Sequence, residues 1–489
     1  MASRTNDMIR IQGMLLLVLA CSMTIPLLLA IFYKESTSVK AFAEVAVFCA
    51  VLGGLIQAVL KPAHSKLKVR DGFFIVSVTW LLCSVIGAMP FFLSGGIPSL
   101  ADAVFESCSG FSTTGASILN DIEALPRSLL FWRSFTHWLG GMGIIVIVMA
   151  LLPVLGISGQ IAANAETPGP TKDKLTARFS DTARGLYKIY VVFTLAEIIL
   201  LLFGGMNLFD ACIHTFGTIG TGGFSNYNNS IAHFQSPYIQ IVLIIFMMIA
   251  GTNFNLFFLA RRRGPYTLLK DEELRFYLTV IGSASLLIFI CNGVYSHFAD
   301  WGRTLLNAIF QVVSIITTTG FITDDYDLWP TFSKMLILCL LFFGGCSSST
   351  AGGVKCVRIL VCLRLLRRSF SLRVHPNRIA HITLNRSELP SDVVIKITNF
   401  LFTYIVVMFA GTLLLSLDNF DFISSFSAAA TCIGNVGPGF NVVGPTQNFS
   451  AFSDFSKLVC SFLMIAGRLE LITVFTLFSK YYWNSNKAK

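Results

Sequence analysis

The segment GRTLLNAIFQVVSIITTTGFIT, residues 302–323, decides the fold of this chain. Its first ten residues place apolar side chains at roughly helical spacing, but they are too few to cross a bilayer, which takes ~20 residues. The glycine- and threonine-rich stretch VSIITTTGFIT follows at 313–323. Three further stretches of this kind occur: ESCSGFSTTGAS at 106–117, HTFGTIGTGGFS at 214–225 and ATCIGNVGPGF at 430–440. The chain therefore contains a fourfold internal repeat.

Each of these polar stretches follows a short apolar segment: SLADAVFES, NLFDACIHTF, GRTLLNAIFQ or FDFISSFSAA. Asp102, Asp210 and Asp421 lie at or near the starts of three of the segments, where a carboxylate stabilises a helix N-terminus. We expect each segment to form a re-entrant pore helix of about two to three turns. The partially negative C-terminal ends of these helices would point into the membrane and favour a cation there.

The composition is that of a polytopic membrane protein. The 489 residues are 54% hydrophobic and only 13% charged, and apolar runs long enough to span a bilayer recur along the whole chain. The 12 cysteines are scattered singly, so neither a disulfide framework nor a zinc site is supported. No complete nucleotide-binding motif is present, since TAGGVKC lacks the P-loop pattern and GTIGTGG is followed by Ser225 where a dinucleotide turn needs glycine. The chain is therefore predicted not to be an enzyme and to hold no cofactor itself.

The net charge of +10 does not indicate a nucleic-acid partner, because of where the charges lie. Lysine and arginine cluster in alternate loops, as the positive-inside rule requires. These basic segments are 1–10, 61–70, 160–188, 261–275, 355–396 and 480–489. Their placement in the cytoplasm puts both termini there and predicts a multi-pass protein of the cell inner membrane, surrounded by lipid.

We therefore predict an all-α polytopic membrane protein with ten transmembrane helices and four re-entrant pore helices. Helices near 11–33 and 39–60 form an N-terminal pair, and a unit of helix, re-entrant segment and helix then recurs four times. The predicted division is 1–70 for the helix pair and 71–160, 161–270, 271–390 and 391–489 for the four repeats, the third with a broken second helix.

Four glycine-rich strips, one per repeat, can converge on one axis, where their backbone carbonyls would surround a cation and replace its hydration shell. Glycine permits the dihedrals that turn successive carbonyls inward, and neutral oxygens suit a monovalent ion. A single strip of this kind is often only a turn or a helix-packing site, but four copies make that reading improbable. The candidate ion-binding residues are Ser112, Thr113, Thr114, Gly115, Gly220, Thr221, Gly222, Gly223, Thr317, Thr318, Thr319, Gly320, Gly434, Asn435, Val436 and Gly437.

The motifs STTGA, GTGGF, TTTGF and NVGPG resemble the degenerate selectivity filters of the TrkH/KtrB/HKT superfamily of potassium transporters. The fourth departs most, at Asn435 and Pro438, but GNVGPGF followed by GPTQNF, together with the N-terminal helix pair, is similar to the TrkH family within it. The resemblance covers essentially the whole chain. It implies four M1-P-M2 repeats like those of a potassium channel, selection of K⁺ and Rb⁺ over Na⁺, and a homodimer with one pore per subunit.

The same resemblance implies a partner in the cytosol. This partner is a TrkA-type regulatory ring that binds ATP, ADP or NAD and docks on basic loops such as RRRGPYTLLKDEELR, residues 261–275.

The segment GGCSSSTAGGVK, residues 344–355, interrupts an apolar run. Gly344 comes thirteen residues after the expected helix start at Thr331, ~20 Å deep at 1.5 Å per residue. Glycines weaken the helix, and hydroxyl side chains can satisfy the loosened backbone. A packing kink is the ordinary alternative, but the resemblance implies an intramembrane gating loop. Its candidate residues are Gly344, Gly345, Ser347, Ser348, Ser349, Thr350, Gly352 and Gly353.

Arg468 lies in the last long apolar run, where an arginine is costly unless it is paired or hydrated. It could pair with Glu470 or with a backbone carbonyl and only hold the fold. The resemblance implies instead that it faces the pore below the filter and takes part in gating. The acidic residues Asp324, Asp325 and Asp327 follow the third stretch and either attract cations to the mouth or form a solvated loop.

A secondary transporter that couples K⁺ to H⁺ or Na⁺ is the alternative function, since discontinuous helices are also typical of that class. Such coupling usually needs a buried carboxylate. Glu44 and Glu197 are the main candidates in the predicted spans, although both could equally be interface residues.

Overall fold

The computed structural model describes residues 2–61, 69–143, 179–377 and 381–483, which fold almost entirely into helices. Helices α1 (Ala2–Phe32) and α2 (Ser36–Val59) form the expected N-terminal pair, although α1 begins earlier than predicted. A Cβ added to Gly53 would lie 2.7 Å from the carbonyl oxygen of Gly13, so glycine at this crossing lets the two backbones come close.

Four units follow, each with a long helix, a shorter helix and a second helix that ends early or is bent. The first unit has α3 (Val69–Leu93), α4 (Leu100–Phe111) and α5 (Arg127–Gly141). The second has α6 (Phe179–Phe203), α7 (Leu208–Gly220), α8 (Pro237–Ala250), α9 (Phe254–Arg263) and the single-turn α10 (Tyr266–Lys270). The third has α11 (Glu272–Tyr295), α12 (Trp301–Ile316), α13 (Thr331–Leu340) and α14 (Cys356–Val374). The fourth has α15 (Ser391–Leu415), α16 (Phe422–Gly434), α17 (Asp454–Arg468), α18 (Ile472–Phe478) and α19 (Lys480–Trp483).

Smaller elements connect these helices. The strands β1 (Thr383–Leu384) and β2 (Ser387–Glu388) form an antiparallel hairpin between α14 and α15. Short 3₁₀ helices lie in the other connections, at Ser230–His233, Tyr326–Leu328, Ser416–Asp418, Asn441–Val443 and Phe449–Ala451.

Within the described residues, six helices are long and apolar enough to cross a membrane: α1, α2, α3, α6, α11 and α15. Two bent pairs, α8 with α9 and α17 with α18, raise the number to eight if each pair is one span. The chain is thus a helical protein with several apolar spans, and the count of ten stays a prediction. The predicted boundary between 160 and 161 lies outside the described residues, as do most of the basic segments 61–70 and 160–188.

The four shorter helices α4, α7, α12 and α16 begin in the same way. In each, a capping side chain accepts a hydrogen bond from the backbone N–H three residues later, which satisfies one of the free amides of the first turn. The caps are Ser99, Asn207, Asp300 and Asp421. Asp421 is thus a cap itself, whereas Asp102 and Asp210 lie in the first turn, where a carboxylate interacts favourably with the helix dipole.

These helices are longer than the predicted two to three turns, with 12, 13, 16 and 13 residues. The first half of each polar stretch continues the helix. In the second, third and fourth units, a threonine hydroxyl of the stretch bonds back to the preceding turn and so does not compete with the helix. Thr218 donates to the His214 carbonyl at 2.8 Å, and Thr317 donates to the Val313 carbonyl at 2.7 Å.

The sequence indicated uninterrupted apolar spans at 238–260 and around SFLMIAGRLELITVF, residues 461–475, but both regions are bent. The second unit turns by 87° between α8 and α9, and the fourth turns by 115° between α17 and α18. Asn253 caps the new helix α9 and so fixes the first break. At the second break, Glu470 and Leu471 adopt positive φ angles of 59° and 53°. Arg468 therefore ends a helix and does not lie inside a continuous one.

Two large buried clusters hold the units together. One joins the N-terminal pair with the first and fourth units, and the other joins the second and third units. An ion pair of 2.6 Å between Lys457 and Asp102 links the fourth unit to the first within this packing. The four units are thereby arranged so that the ends of their shorter helices face one another.

Candidate functional site

The four predicted stretches meet in a closed ring. A Cβ added to Gly115 would lie 1.9 Å from the carbonyl oxygen of Gly222 in the next unit, well inside van der Waals contact. A Cβ added to each of the other three glycines would be similarly close to a backbone carbonyl oxygen of the next unit. The distances are 2.0 Å from Gly223 to Thr319, 2.2 Å from Gly320 to Val436 and 2.6 Å from Gly437 back to Thr114. We call Gly115, Gly223, Gly320 and Gly437 the glycine ring; a side chain at any of them would collide with a backbone carbonyl.

The backbone around each ring glycine has the same conformation in all four units. The ring glycines have φ angles of 79°, 77°, 80° and 97°, and the residues two positions earlier are also left-handed. Those earlier residues are Thr113, Thr221, Thr318 and Asn435. One residue lies between these two positions in each unit, and its backbone amide donates to the carbonyl five residues earlier in the chain, at N···O distances of 2.8 to 3.0 Å. These donor residues are Thr114, Gly222, Thr319 and Val436. Fourfold recurrence of a costly backbone conformation identifies it as a specified feature.

A cavity of about 140 Å³ opens on one face of the glycine ring and is lined by all four ring glycines. Neutral groups such as Ser117, Ser225 and Asn448 form much of the rest of its wall, and the charged residue Arg133 also lines it. The acidic cluster is not part of this wall. Asp324 accepts hydrogen bonds from Asn307 and Trp329, and Asp327 accepts one from the Asn441 backbone at 2.7 Å, so these carboxylates hold loops together.

The hydroxyl groups of the four stretches are buried and divided between two tasks. Ser112 and Thr114 bond to each other at 2.7 Å, as Thr317 and Thr319 do at 2.8 Å, so these groups stabilise their own segments. Thr318, at one of the left-handed positions, faces the other side of the ring. There the Thr318 hydroxyl accepts a hydrogen bond from the Gly352 amide at 2.8 Å.

Residues 344–355 form a loop beneath the glycine ring, on the side where the shorter helices end; we call it the 344–355 loop. Helix α13 ends at Leu340 and α14 begins at Cys356, so the expected interruption is present. Phe343 and Val354 form a parallel bridge, which places the two ends of the loop side by side. A Cβ on Gly352 would lie 2.8 Å from the Gly434 carbonyl oxygen, so the loop touches the fourth unit just below the ring.

The other units also hold this loop. In the second unit, the carbonyls at the end of α8 accept from it: Cys346 donates to Gly251 at 2.8 Å, and Thr350 donates through its hydroxyl to Ala250 at 3.0 Å. Arg468 donates to the Thr350 carbonyl at 2.6 Å and, through its other terminal nitrogen, to Gly140 and Gly141 of the first unit at 2.8 Å. Of the alternatives, Arg468 thus binds backbone carbonyls, whereas Glu470 pairs with Arg358.

Comparison with known proteins identifies the family of this chain. A profile of the TrkH family, described as cation transport protein, matches residues 38–487. The chain belongs to the TrkH family. The Trk system potassium uptake protein TrkH of Escherichia coli K12 is 37% identical over 481 residues, covering 97% of this chain and 98% of that protein. The TrkH protein of Halomonas elongata is 32% identical over 97% of this chain and 98% of its own length.

A solved structure agrees as well. The crystal structure of the potassium transporter TrkH from Vibrio parahaemolyticus superposes with a TM-score of 0.88 at 34% identity, covering 98% of this chain and all of that one. The family predicted from the four motifs is therefore confirmed, and the family description is that of a transport protein and not of an enzyme.

In this TrkH-family chain, sequence reasoning missed two charged residues that hold the 344–355 loop. The carboxylate of Glu273, at the start of α11, accepts from the Ser347 amide at 2.7 Å, the Ser347 hydroxyl at 2.5 Å and the Val357 amide at 3.1 Å. Lys355 is buried and donates to Ser349 at 3.3 Å and to the Ala351 carbonyl. The sequence signal for Glu273 was weak, because it follows Asp271 and Glu272 and resembles a solvated helix start.

Three residues behind the ring were also missed. Arg133 on α5 forms a buried 2.5 Å ion pair with Glu106 and donates to the Ser225 carbonyl of the second unit at 2.9 Å. His137, one turn further along α5, accepts from the Phe224 amide at 3.3 Å. The first unit thereby supports the segment of the second. A charged pair within an apolar helical region, FWRSF opposite VFESC, was the available signal.

The buried Arg133–Glu106 pair yields a stability prediction. An Arg133→Leu variant is expected to lose about 3–5 kcal/mol of stability, because it leaves the Glu106 carboxylate buried without its cation. Thermal unfolding in detergent measures the loss. The double variant Glu106→Gln/Arg133→Leu, which removes both charges and keeps an acceptor, should recover much of it. Equal melting temperatures for wild type and Arg133→Leu would contradict a stabilising pair.

The two candidate coupling carboxylates of this TrkH-family chain lie in different surroundings. Glu44 on α2 is exposed and forms a loose 3.9 Å pair with Lys40. Glu197 on α6 is fully buried, and its carboxyl faces the Thr218 hydroxyl of α7 without a hydrogen bond of ordinary geometry among the described residues. Neither belongs to the glycine ring.

Proposed function

We propose that this chain is the membrane subunit of a potassium uptake system and that K⁺, and also Rb⁺, passes passively through the glycine ring. The observation that carries the proposal is the closure of the ring by four segments in cyclic order. Backbone carbonyls directed at one axis replace the hydration shell of an ion, and a cage without carboxylates suits a monovalent cation. The relatives named above include potassium uptake in their names.

In this proposal the four units are M1-P-M2 repeats. Helices α3, α6, α11 and α15 are the first helices, and α4, α7, α12 and α16 are the pore helices. The second helices are α5, the bent pair α8 and α9, the interrupted pair α13 and α14, and the bent pair α17 and α18. With the N-terminal pair, the proposal counts ten membrane passages. The ion-binding residues are the four stretches 112–115, 220–223, 317–320 and 434–437, with K⁺ bound only there.

The 344–355 loop is the proposed gate. It lies directly below the ring and contacts every unit, either itself or through Arg468. Arg468 and Lys355 add positive charge at this level, which disfavours a cation resting beneath the ring. Many of the contacts that hold the loop are hydrogen bonds, and its packed side chains, such as Cys346 and Val354, are small. Displacing the loop therefore leaves most of the packing between the helices in place.

The remaining assignments follow the family. The chain is proposed to lie in the inner membrane with both termini in the cytoplasm, and to form a homodimer with one pore per subunit. A TrkA-type regulatory ring, carrying the ATP, ADP or NAD that this chain does not bind, is proposed to dock on the segment 261–275. Arg261, Arg262 and Arg275 are exposed there and supply the positive charge.

The second candidate is coupled transport of K⁺ with H⁺ or Na⁺. The burial of Glu197 without a well-formed hydrogen bond favours it, because such a carboxyl group could take up and release a proton. Glu197 faces Thr218, two residues before Gly220, but lies outside the four ring segments, so we expect its neutralisation to leave passive conduction intact.

Flux into liposomes distinguishes the two functions. The purified chain, with and without its cytosolic partner, should move ⁸⁶Rb⁺ down its own gradient when no H⁺ or Na⁺ gradient is present. A Glu197→Gln variant should keep this flux, and Glu44→Gln serves as the exposed control. Loss of gradient-driven uptake in Glu197→Gln with passive flux intact would favour coupled transport, as would a wild type that moves no Rb⁺ without a second gradient.

A further inference from the structure

Each of the four shorter helices carries one buried polar side chain at nearly the same distance before its ring glycine. Glu106, His214 and Gln311 lie nine residues before Gly115, Gly223 and Gly320, and Ser427 lies ten before Gly437. All four are 0 or 1% exposed. Their chemical types differ, so no shared motif marks them in the sequence. We call them the bracing side chains.

Three of the bracing side chains bind the same backbone amide, three residues after the ring glycine. Glu106 accepts from the Ile118 amide at 3.0 Å, and Ser427 accepts from the Phe440 amide at 3.0 Å. The side-chain amide of Gln311 finds hydrogen-bond partners for both its oxygen and its nitrogen in one orientation. In that orientation, its oxygen accepts from the Thr323 backbone amide at 2.9 Å.

His214 braces the second unit through a hydroxyl group. Its Nδ1 lies 2.8 Å from the Asp210 carbonyl and acts as a donor there, so its Nε2 accepts from the Ser225 hydroxyl at 3.0 Å. The same hydroxyl oxygen accepts from the Tyr227 amide at 3.1 Å. The result is again a fixed backbone amide shortly after the ring glycine.

These bonds hold each segment at a second point. The first point lies just before the ring glycine, where the amide of the preceding residue donates to the carbonyl five residues before it. After the ring glycine, the bracing side chain binds an amide on the side away from the axis. Because amide and carbonyl belong to rigid peptide planes, fixing the outward amides restrains the direction of the carbonyls between the two points. An unbraced segment could rotate its peptide planes and change the number of oxygens that face an ion.

We propose that Glu106, His214, Gln311 and Ser427 are positioning residues that set the ion selection of the glycine ring. They touch no ion themselves and act through the backbone that they hold. The inference rests on the proposed function in so far as the ring binds K⁺. It goes beyond that function by assigning ion preference to four residues outside the ring segments.

Ser427 allows the sharpest test, because Ser333 is a matched control. Both hydroxyls are fully buried, and Ser333 donates to Asn292 on α11 at 2.7 Å, away from the ring. Ser427→Ala should lower the preference for K⁺ over Na⁺ by ~2–10-fold, as expected for the loss of one hydrogen bond. Ser333→Ala should leave the preference unchanged, and Ser427→Thr, which keeps a hydroxyl group, should largely restore it.

The preference is measured in two ways on the purified full-length chain. Stabilisation of the melting temperature by KCl against NaCl reports ion binding, and competition of Na⁺ with ⁸⁶Rb⁺ flux in liposomes reports conduction. Ion-free melting temperatures of Ser427→Ala and Ser333→Ala should be similar, which excludes general unfolding as the cause.

The outcomes separate this inference from the proposed function. If the wild type binds K⁺ selectively but shows no passive flux, passive conduction is wrong, and the binding data still decide whether Ser427 sets the preference. An unchanged K⁺ preference in Ser427→Ala, or an equal loss in Ser333→Ala, overturns the inference. So does a wild type without any K⁺ preference, because the bracing side chains would then have no selection to set.

Discussion

A Gly320→Val variant is expected to lose at least about tenfold of its discrimination between K⁺ and Na⁺, which corresponds to ~1.4 kcal/mol. Gly320 has a φ of 80°, and its Cβ would lie 2.2 Å from the Val436 carbonyl oxygen and 2.9 Å from Pro438. Valine disfavours this φ because of its branched Cβ. The clash is with the backbone of the next segment, so relief requires the Val436 carbonyl to turn away from the ring.

The strain at φ > 0 and the clash inside the ring can be separated with a second glycine. Gly205, in the turn between α6 and α7, has a φ of 89° and nothing within 4 Å of an added Cβ. Gly205→Val therefore carries the conformational strain without the clash, and its ion preference should stay at the wild-type level. The measurement is inhibition of ⁸⁶Rb⁺ flux by Na⁺ in liposomes. A folded Gly320→Val protein with wild-type competition would contradict a selective role for the glycine ring.

The glycines made most of this site predictable from the sequence. A backbone that needs positive φ and leaves no room for Cβ restricts the residue type severely, so Gly115, Gly223, Gly320 and Gly437 mark their positions in the sequence. The same reasoning located the interruption at 344–355, where four glycines and several hydroxyls replace an apolar helix. A lone arginine in an apolar run likewise marked Arg468, because the membrane makes such a residue costly.

The bends of the second and fourth units could not be predicted in this way. The sequence GTN at 251–253 is compatible with a continuous helix, and the break depends on contacts made elsewhere in the chain. The carbonyls of Ala250 and Gly251 leave the helix because the 344–355 loop supplies donors to them. Asn253 is a local signal for the start of α9, but the donors that the 344–355 loop supplies have no signal near this position in the sequence.

The bracing side chains were missed for a related reason. A carboxylate, an imidazole, an amide and a hydroxyl perform the same task at one position, so a search for repeated residue types does not find them. Their signal is positional, a buried polar group nine or ten residues before each ring glycine, and it becomes meaningful only when the partner amide is known. The role of the acidic residues was also left open by the sequence, and the structure adds that Asp324 and Asp327 bind neighbouring loops.

Removing the 344–355 loop should raise the flux that occurs without the cytosolic partner. Deletion of residues 345–352 joins Gly344 to Gly353, which already lie together: a Cβ on Gly353 would be 3.3 Å from the Gly344 Cα. The shortened chain can therefore close without moving α13 or α14. We expect ⁸⁶Rb⁺ flux in partner-free liposomes to rise about tenfold or more, because the charge-assisted hydrogen bonds that hold the loop contribute ~1.5–3 kcal/mol each.

A point variant tests the same gate without shortening the chain. Glu273→Gln keeps the size of the side chain but replaces the carboxylate that binds both Ser347 and Val357, so the loop should open more often and partner-free flux should rise by a smaller factor. Glu272→Gln is the matched control, since Glu272 binds Arg364 and the Asn385 backbone and does not touch the loop. Flux that falls in a folded deletion variant, or that rises equally in Glu272→Gln and Glu273→Gln, would show that the loop does not close the pore. The loop is also packed through the buried side chains of Cys346 and Val354. Loss of the Glu273 carboxylate therefore weakens the attachment of the loop without releasing it completely, which is why the factor expected for Glu273→Gln is smaller than that for the deletion.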